Sequence, residues 1–185
     1  MKPVQRSEIL DYVTYEEQRG GLRASALEAK RQRRITVGDL LCFLFENTET
    51  VRYQIQEMMR TEKIVKEAGI QHEIDTYNEL IGGPGELRCT LLVGILSEAD
   101  RERLLPAWLD LNEHLYLRLS DGRNLRPTWD SRQVGESRLS SVQYLSFAVG
   151  DSYPVGVGCD HPAPELHHET TLDSEQVEAL REDLS

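Results

Sequence analysis

The chain has 185 residues, of which 39% are hydrophobic and 29% are charged, and its formal net charge is −11. This length fits a single domain spanning residues 1–185, and the negative charge argues against binding to nucleic acid or to an anionic membrane surface. No apolar run is long enough for a membrane span, the N-terminus lacks the apolar segment of a secretory signal, and the three widely spaced cysteines encode no disulfide framework, so we expect a cytoplasmic protein.

The charges are unevenly distributed along the chain. Six basic residues against one acid lie between Arg19 and Arg34, whereas seven acids against only Arg181 lie from Glu165 onward. The simplest interpretation is that each segment forms the solvated face of a helix. The alternative is that the basic segment docks an acidic partner or the acidic tail of the chain itself.

The chain begins with a predicted helix and a predicted hairpin. A capping-box pattern at Thr14-Tyr15-Glu16-Glu17 opens a helix that runs toward Arg34. Gly20-Gly21 weakens this helix near its start, where it could break. Arg34–Val37 and Leu40–Phe45 then predict two strands joined at Gly38-Asp39.

A second predicted helix begins at Asn47 or Thr48 and runs to about Ala68. Its apolar residues recur at helical spacing, and Gly69 supplies the residue type that commonly follows a helix end. A shorter helix is predicted from about Gln71 to Leu80.

The second half of the chain is rich in β-branched, aromatic and leucine residues between turn residues. The predicted strands are Leu87–Leu96, His114–Leu119, Val142–Val149 and Val155–Cys159. One helix follows Ser97 and is interrupted by Pro106, and a C-terminal helix begins at Asp173, where Gln176 completes a capping box. Helices that precede strands favour an α+β fold with a mainly antiparallel sheet over an alternating α/β fold.

A row of polar side chains is predicted on the second helix. Tyr53, Glu57 and Arg60 are spaced by four and three residues and so share one face, with Gln56 and Lys63 beside them. Such a row suits a helix that lines a binding cleft. The alternative is an ordinary surface with an ion pair between Glu57 and Arg60.

The segment Cys159–Glu169 contains three of the five histidines. In extended chain Cys159 and His161 point the same way, and if Pro162-Ala163-Pro164 turns the chain they could face His167 and its neighbours. Thiolate, imidazole and carboxylate together suit zinc or iron. The alternatives are ordinary surface histidines, or an acid, base or buried hydrogen-bonding role for His161 alone, positioned by Asp160 and Pro162.

Several of these stretches resemble an uncharacterised bacterial family, domain of unknown function 3501. The stretches that carry the resemblance are Tyr53-Gln54-Ile55-Gln56-Glu57-Met58-Met59-Arg60, Tyr77-Asn78 with Leu80-Ile81, Asp160-His161-Pro162, Arg33-Arg34 and Phe45-Glu46. Family members are often encoded beside rubrerythrin-like and iron–sulfur proteins, so the resemblance implies a role in redox or oxidative-stress physiology. The sequence departs from the family pattern at Gly82-Gly83, where a proline is expected, and His167 and His168 belong to no family motif.

Three functions follow from these observations. The first is an accessory protein that recognises a redox or iron–sulfur protein partner and self-associates as a homo-oligomer. The second is a small-ligand-binding protein or enzyme with one polar site. The residues of that site would be Tyr53, Gln56, Glu57, Arg60, Tyr77, Asn78, Asp160 and His161.

The third function is metal binding. Its ligands would come from Cys159, His161, His167 and His168. Because no pair of these residues is fixed on a helix, we predict no resident cofactor, and we expect purified protein to carry well under one equivalent of zinc or iron.

Overall fold

The computed structural model describes residues 1–185 as six helices and eight strands, with two short 3-10 turns. The helices are α1 (Tyr12–Arg33), α2 (Thr48–Glu62), α3 (Glu67–Asn78), α4 (Glu98–Ala107), α5 (Leu111–His114) and α6 (Ser174–Glu182). The strands are β1 (Arg34–Val37), β2 (Leu41–Phe45), β3 (Glu86–Val93), β4 (Leu115–Leu119), β5 (Asn124–Leu125), β6 (Val142–Ala148), β7 (Pro154–Cys159) and β8 (His168–Thr171). No helix is both long enough and apolar enough to cross a lipid bilayer.

The strands form two antiparallel sheets, so the predicted α+β class and antiparallel arrangement are confirmed. The first sheet has the order β1-β2-β3-β6 and the second has the order β5-β4-β7-β8. One core of 25 buried residues draws on both sheets, and strand residues such as Phe43, Leu91, Leu117 and Val157 are fully buried in it. The inner faces of the two sheets therefore pack against each other, as alternating buried residues require.

The sheets also meet along their edges. Thr128 follows β5 and exchanges two backbone hydrogen bonds with Ser146 of β6, at 2.8 and 2.9 Å. On the other side, the Thr170 hydroxyl of β8 donates to the carbonyl of Thr36 in β1 at 2.7 Å. These links cover strand edges that would otherwise be open to other chains.

A helical layer with a smaller core of its own lies beside the sheets. This second core contains Val4 and Ile9 from the N-terminal segment, apolar residues of α2 and α3, and Ile81. Helix α1 begins earlier than predicted because Asp11, rather than Thr14, caps it by accepting hydrogen bonds from the backbone of Val13 and Thr14. The glycine pair does not break the helix.

The C-terminal end predicted for the second helix, at about Ala68, was wrong. Helix α2 ends at Glu62 because Lys63 adopts a left-handed conformation with φ of 55°, and α3 begins at Glu67. After this break Ile64 packs against the second core, whereas Val65 is 69% exposed. The left-handed cap at Lys63 therefore ends α2 before Gly69, and the chain that follows places the partly buried Ile64 against the second core.

The predicted strands are found with ends shifted by a few residues, and β5 and β8 were not predicted. His114 belongs to α5 and not to β4. Strand β8 has no buried residue, so it lacks the apolar alternation by which half-buried strands are recognised.

The acidic tail packs against the basic segment of the same chain. Arg33 of α1 and Asp183, just after α6, form a buried ion pair with Nε–Oδ2 of 2.6 Å, and Arg31 reaches Glu175 at 2.6 Å. The interpretation in which the basic segment docks the chain's own tail is therefore confirmed.

Candidate functional site

The polar row on α2 faces α1 rather than an open cleft. Glu57 accepts a hydrogen bond from the Tyr15 hydroxyl at 2.6 Å and two from Arg19, at 2.7 and 2.9 Å. The hydrogen bond from Arg19 is the main cause that lowers the pKa of Glu57. Arg60 pairs with Glu16 of α1 at 2.6 Å, so the ion pair between Glu57 and Arg60, which was the alternative interpretation of this row, is not formed. These contacts fasten α1 onto α2.

Two other candidate residues hold the N-terminal segment in place. The Gln56 side chain accepts from the backbone of Leu10 at 2.6 Å and donates back to its carbonyl at 3.3 Å. The Asn78 side chain does the same with the backbone of Val4, at 2.8 and 3.0 Å. Each side-chain amide makes the two backbone hydrogen bonds that a neighbouring strand would make. Gln56 and Asn78 therefore have a structural role.

His161 lies elsewhere, in the loop after β7, and is only 5% exposed. Its Nδ1 accepts a hydrogen bond from the backbone N–H of Ala163 at 3.0 Å, and its Nε2 lies 3.1 Å from Oδ1 of Asp110. Because Nδ1 is an acceptor, the proton of the neutral ring is on Nε2, which donates it to Asp110.

His114 stands on the other side of Asp110, with its ring edge-on to that of His161 and the ring centres 4.9 Å apart. Its Nδ1 is 3.1 Å from Oδ1 of Asp160, and its Nε2 is 3.4 Å from Oδ2 of Asp110. Arg126 holds Asp160 in turn, with Nη2–Oδ2 of 2.5 Å. This hydrogen bond from Arg126 is the largest cause that lowers the pKa of Asp160.

The three residues Asp110, His114 and His161 are here called the Asp–His cluster. Each offers a ligand atom, and these atoms lie within 4.8 Å of one another. Burial acts to raise the pKa of Asp110, but the hydrogen bond from His161 and the nearby rings outweigh it, and the pKa is lowered. Asp110 is therefore a carboxylate at neutral pH, with its side chain 52% exposed to solvent.

The outer face of β4 and β7 continues from this cluster. Arg126 lies over the ring of Tyr116, 5.4 Å from its centre, and the Tyr116 hydroxyl donates to Glu169 at 2.9 Å. The ring lies directly over Gly158, where a Cβ atom would overlap it. The glycine is therefore needed for the close approach that positions Tyr116 beneath Arg126.

The residues proposed as metal ligands from the sequence are only partly brought together. The chain does turn after Cys159, which is the Cα partner of His168 across β7 and β8. Burial raises the pKa of the Cys159 thiol to about 11, so it is not a ready thiolate ligand. His167 reaches only the carbonyl of His161, at 3.3 Å, and neither it, His168 nor Cys159 belongs to the Asp–His cluster.

The candidate ligand-site residues do not converge. Six of the candidates lie in the helical layer, on α2 and α3: Tyr53, Gln56, Glu57, Arg60, Tyr77 and Asn78. No hydrogen bond joins any of the six to His161 or Asp160. Sequence reasoning missed Asp110 and His114. Their spacing of four residues, which places them on one face of a helical turn, was the signal that could have found them.

The comparisons with known proteins agree with the resemblance. Residues 3–184 match the model of a family of proteins of unknown function, DUF3501. The chain belongs to this family. The DUF3501 chain is also similar to the crystal structure of a novel protein of unknown function from Burkholderia pseudomallei, with 28% identity, a TM-score of 0.88 and full coverage of both chains. No curated protein matches it. The redox association, the partner protein and the homo-oligomer stay predictions.

Proposed function

We propose that this DUF3501 protein binds a divalent transition-metal ion at the Asp–His cluster. The observation that carries the proposal is the pair formed by His114 Nε2 and Asp110 Oδ2, 3.4 Å apart. A tetrahedral ion with bonds of about 2.0–2.2 Å separates its ligand atoms by about 3.3–3.6 Å. When the His114 ring is neutral and its Nδ1–H donates to Asp160, both of these atoms present lone pairs, and a cation between them would relieve the repulsion.

The surroundings of His114 support the same proposal. A metal-binding histidine commonly donates its second ring N–H to a carboxylate, which fixes the ring and makes the ligand more basic. Asp160 is placed to accept that hydrogen bond, and Arg126 keeps the carboxylate in position. The ring of His114 is thus held by Asp160, and Asp160 is held in turn by Arg126.

We propose that His161 positions the carboxylate of Asp110 and does not itself bind the ion. Its lone pair is already used by the N–H of Ala163, and its Nε2–H points at Asp110. Two protein ligands with water in the other positions bind an ion more weakly than a closed structural site. A site of this kind would release its ion readily during dialysis, so the prediction of well under one equivalent in purified protein is kept beside this proposal. A transition metal would also fit the redox association that the resemblance implies.

The test is a titration of dialysed protein with Co²⁺, followed by visible absorption and by equilibrium dialysis. We expect saturation near one equivalent, loss of binding in His114→Ala, and an affinity reduced about 10–100-fold in Asp160→Asn. His72→Ala, on the exposed side of α3, is the matched control and should bind Co²⁺ as the unchanged protein does. Binding that is absent, or that His72→Ala weakens as much as His114→Ala, would refute the proposal.

A further inference from the structure

A cleft of about 750 Å³ opens on the outer face of the first sheet, between the end of α3 and the 3-10 turn at Ser131–Gln133. Tyr77 and Tyr144 lie on its walls, and Arg88 lies on its lining. None of the Asp–His cluster takes part in it. The volume is within the range of about 300–1,000 Å³ that small-molecule sites occupy.

Tyr144 forms one wall, and Gln133, which also lines the cleft, holds its backbone. The side-chain amide of Gln133 accepts from the backbone N–H of Tyr144 at 2.7 Å and donates to its carbonyl at 2.8 Å. The backbone of Tyr144 thus makes two hydrogen bonds to Gln133, as it would to a neighbouring strand, while the residue as a whole remains 53% exposed. An exposed ring on a fixed backbone is a surface on which a planar ligand can stack at small entropic cost.

Tyr77 and Leu80 form the facing wall at the end of α3. Burial raises the pKa of the Tyr77 hydroxyl above its ordinary value, at which a phenol is already neutral at physiological pH. The cleft thus presents a second aromatic group. The acids on its lining are Glu79 and Asp130, and Asp130 is paired with Arg132.

Arg88 supplies positive charge to the same cleft. Its Nη1 donates to the carbonyl of Glu79 at 2.5 Å and its Nε lies 3.3 Å from Glu86, whereas its Nη2 has no hydrogen-bond partner. The Glu86 carboxylate also accepts from Ser146 and from the backbone N–H of Gly83, which leaves it only partly engaged with Arg88. The guanidinium is therefore oriented by fixed groups and keeps one nitrogen free for an anion.

We propose that this cleft binds a planar aromatic ligand that carries an anionic group, with the ring against Tyr144 and Tyr77 and the anion at Nη2 of Arg88. Arg132 on the rim does not supply the anion site, because Asp130 already holds it through Nε and Nη2. The ligand class follows from the combination of two aromatic walls with one free guanidinium nitrogen.

Two probes of nearly the same shape test both parts of this proposal. The first, 8-anilino-1-naphthalenesulfonate, carries an anionic group, and the second, N-phenyl-1-naphthylamine, is its neutral counterpart. Fluorescence titration of the native protein should give saturable binding of the anionic probe at one site, and its affinity should exceed that of the neutral probe by about tenfold.

Variants then assign the binding to the cleft. Tyr144→Ala should lower the affinity for both probes by about tenfold, whereas Arg88→Met should lower only that for the anionic probe. Leu96→Ala is the matched control, because Leu96 is 96% exposed and lies outside the cleft. Equal affinity for the two probes in the native protein would overturn the anion site. Unchanged binding in Tyr144→Ala, with native circular dichroism, would overturn the cleft as the binding site.

Discussion

The buried ion pair between Arg33 and Asp183 allows a quantitative test of how the C-terminal helix is held. The two side chains are only 6% and 7% exposed, and the pair is bidentate, with a second contact of 2.9 Å from Nη2 to Oδ1. Arg33 also donates to the carbonyl of Ala29 on its own helix at 3.1 Å. Asp183→Ala would leave a buried guanidinium without its counter-charge.

Removal of one partner from a buried ion pair costs about 3–5 kcal/mol. For a chain of this size each kcal/mol shifts the melting temperature by about 2–4 °C, so Asp183→Ala should lower it by about 6–20 °C. Urea unfolding followed by circular dichroism measures the free energy directly. The double variant Arg33→Met with Asp183→Leu should recover most of the loss, because apolar side chains of similar volume replace buried pairs at little cost.

Glu175→Gln is the matched control, since it removes the other ion pair between α1 and the tail. Arg31 and Glu175 are 56% and 60% exposed, so solvent screens their attraction and the variant should unfold almost as the unchanged protein does. If Asp183→Ala had the same small effect as Glu175→Gln, or if the double variant were less stable than Asp183→Ala alone, the role assigned to burial would be wrong.

Three further variants test other local features by urea unfolding. Gly20→Ala in α1 should stabilise the protein by about 0.5–1 kcal/mol, since a Cβ there meets no neighbour and alanine favours a helix; any loss of stability would contradict a continuous helix. Gly158→Ala should cost about 1–3 kcal/mol, because the new methyl group overlaps the ring of Tyr116, and a neutral result would show that the ring moves freely. Glu46→Gln should stabilise the protein more at pH 7 than at pH 4. Burial raises the pKa of Glu46 in the folded chain, so as the pH rises the Glu46 carboxyl loses its proton in the unfolded chain first. The stability of the unchanged protein therefore falls as the pH rises from the unfolded pKa to the folded pKa. An equal effect of Glu46→Gln at both pH values would contradict this.

The helical row Tyr53, Glu57 and Arg60 illustrates how far a face can be predicted from periodicity. The spacing correctly placed these residues along one side of α2, but it could not say what lies opposite. Helix α1 lies there, and its residues Tyr15 and Arg19 take up the charge of Glu57. A row of polar residues that suited a cleft is therefore part of a helix–helix contact.

The sequence by itself determined the α+β class, the hairpin of β1 and β2, the caps at Ser97 and Asp173, and the family. For the cap of α2 it left Asn47 and Thr48 as alternatives, and Asn47 is the residue that caps the helix. These depend on neighbours within a few residues, or on a pattern of residue types, and both can be read along the chain. The Asp–His cluster was decided only by the tertiary structure. His161 lies 47 residues beyond His114, and they meet because β4 and β7 are paired with Leu115 opposite Cys159. Strand register sets which distant side chains meet, and it depends on how both sheets bury their inner faces, which is a property of the whole core.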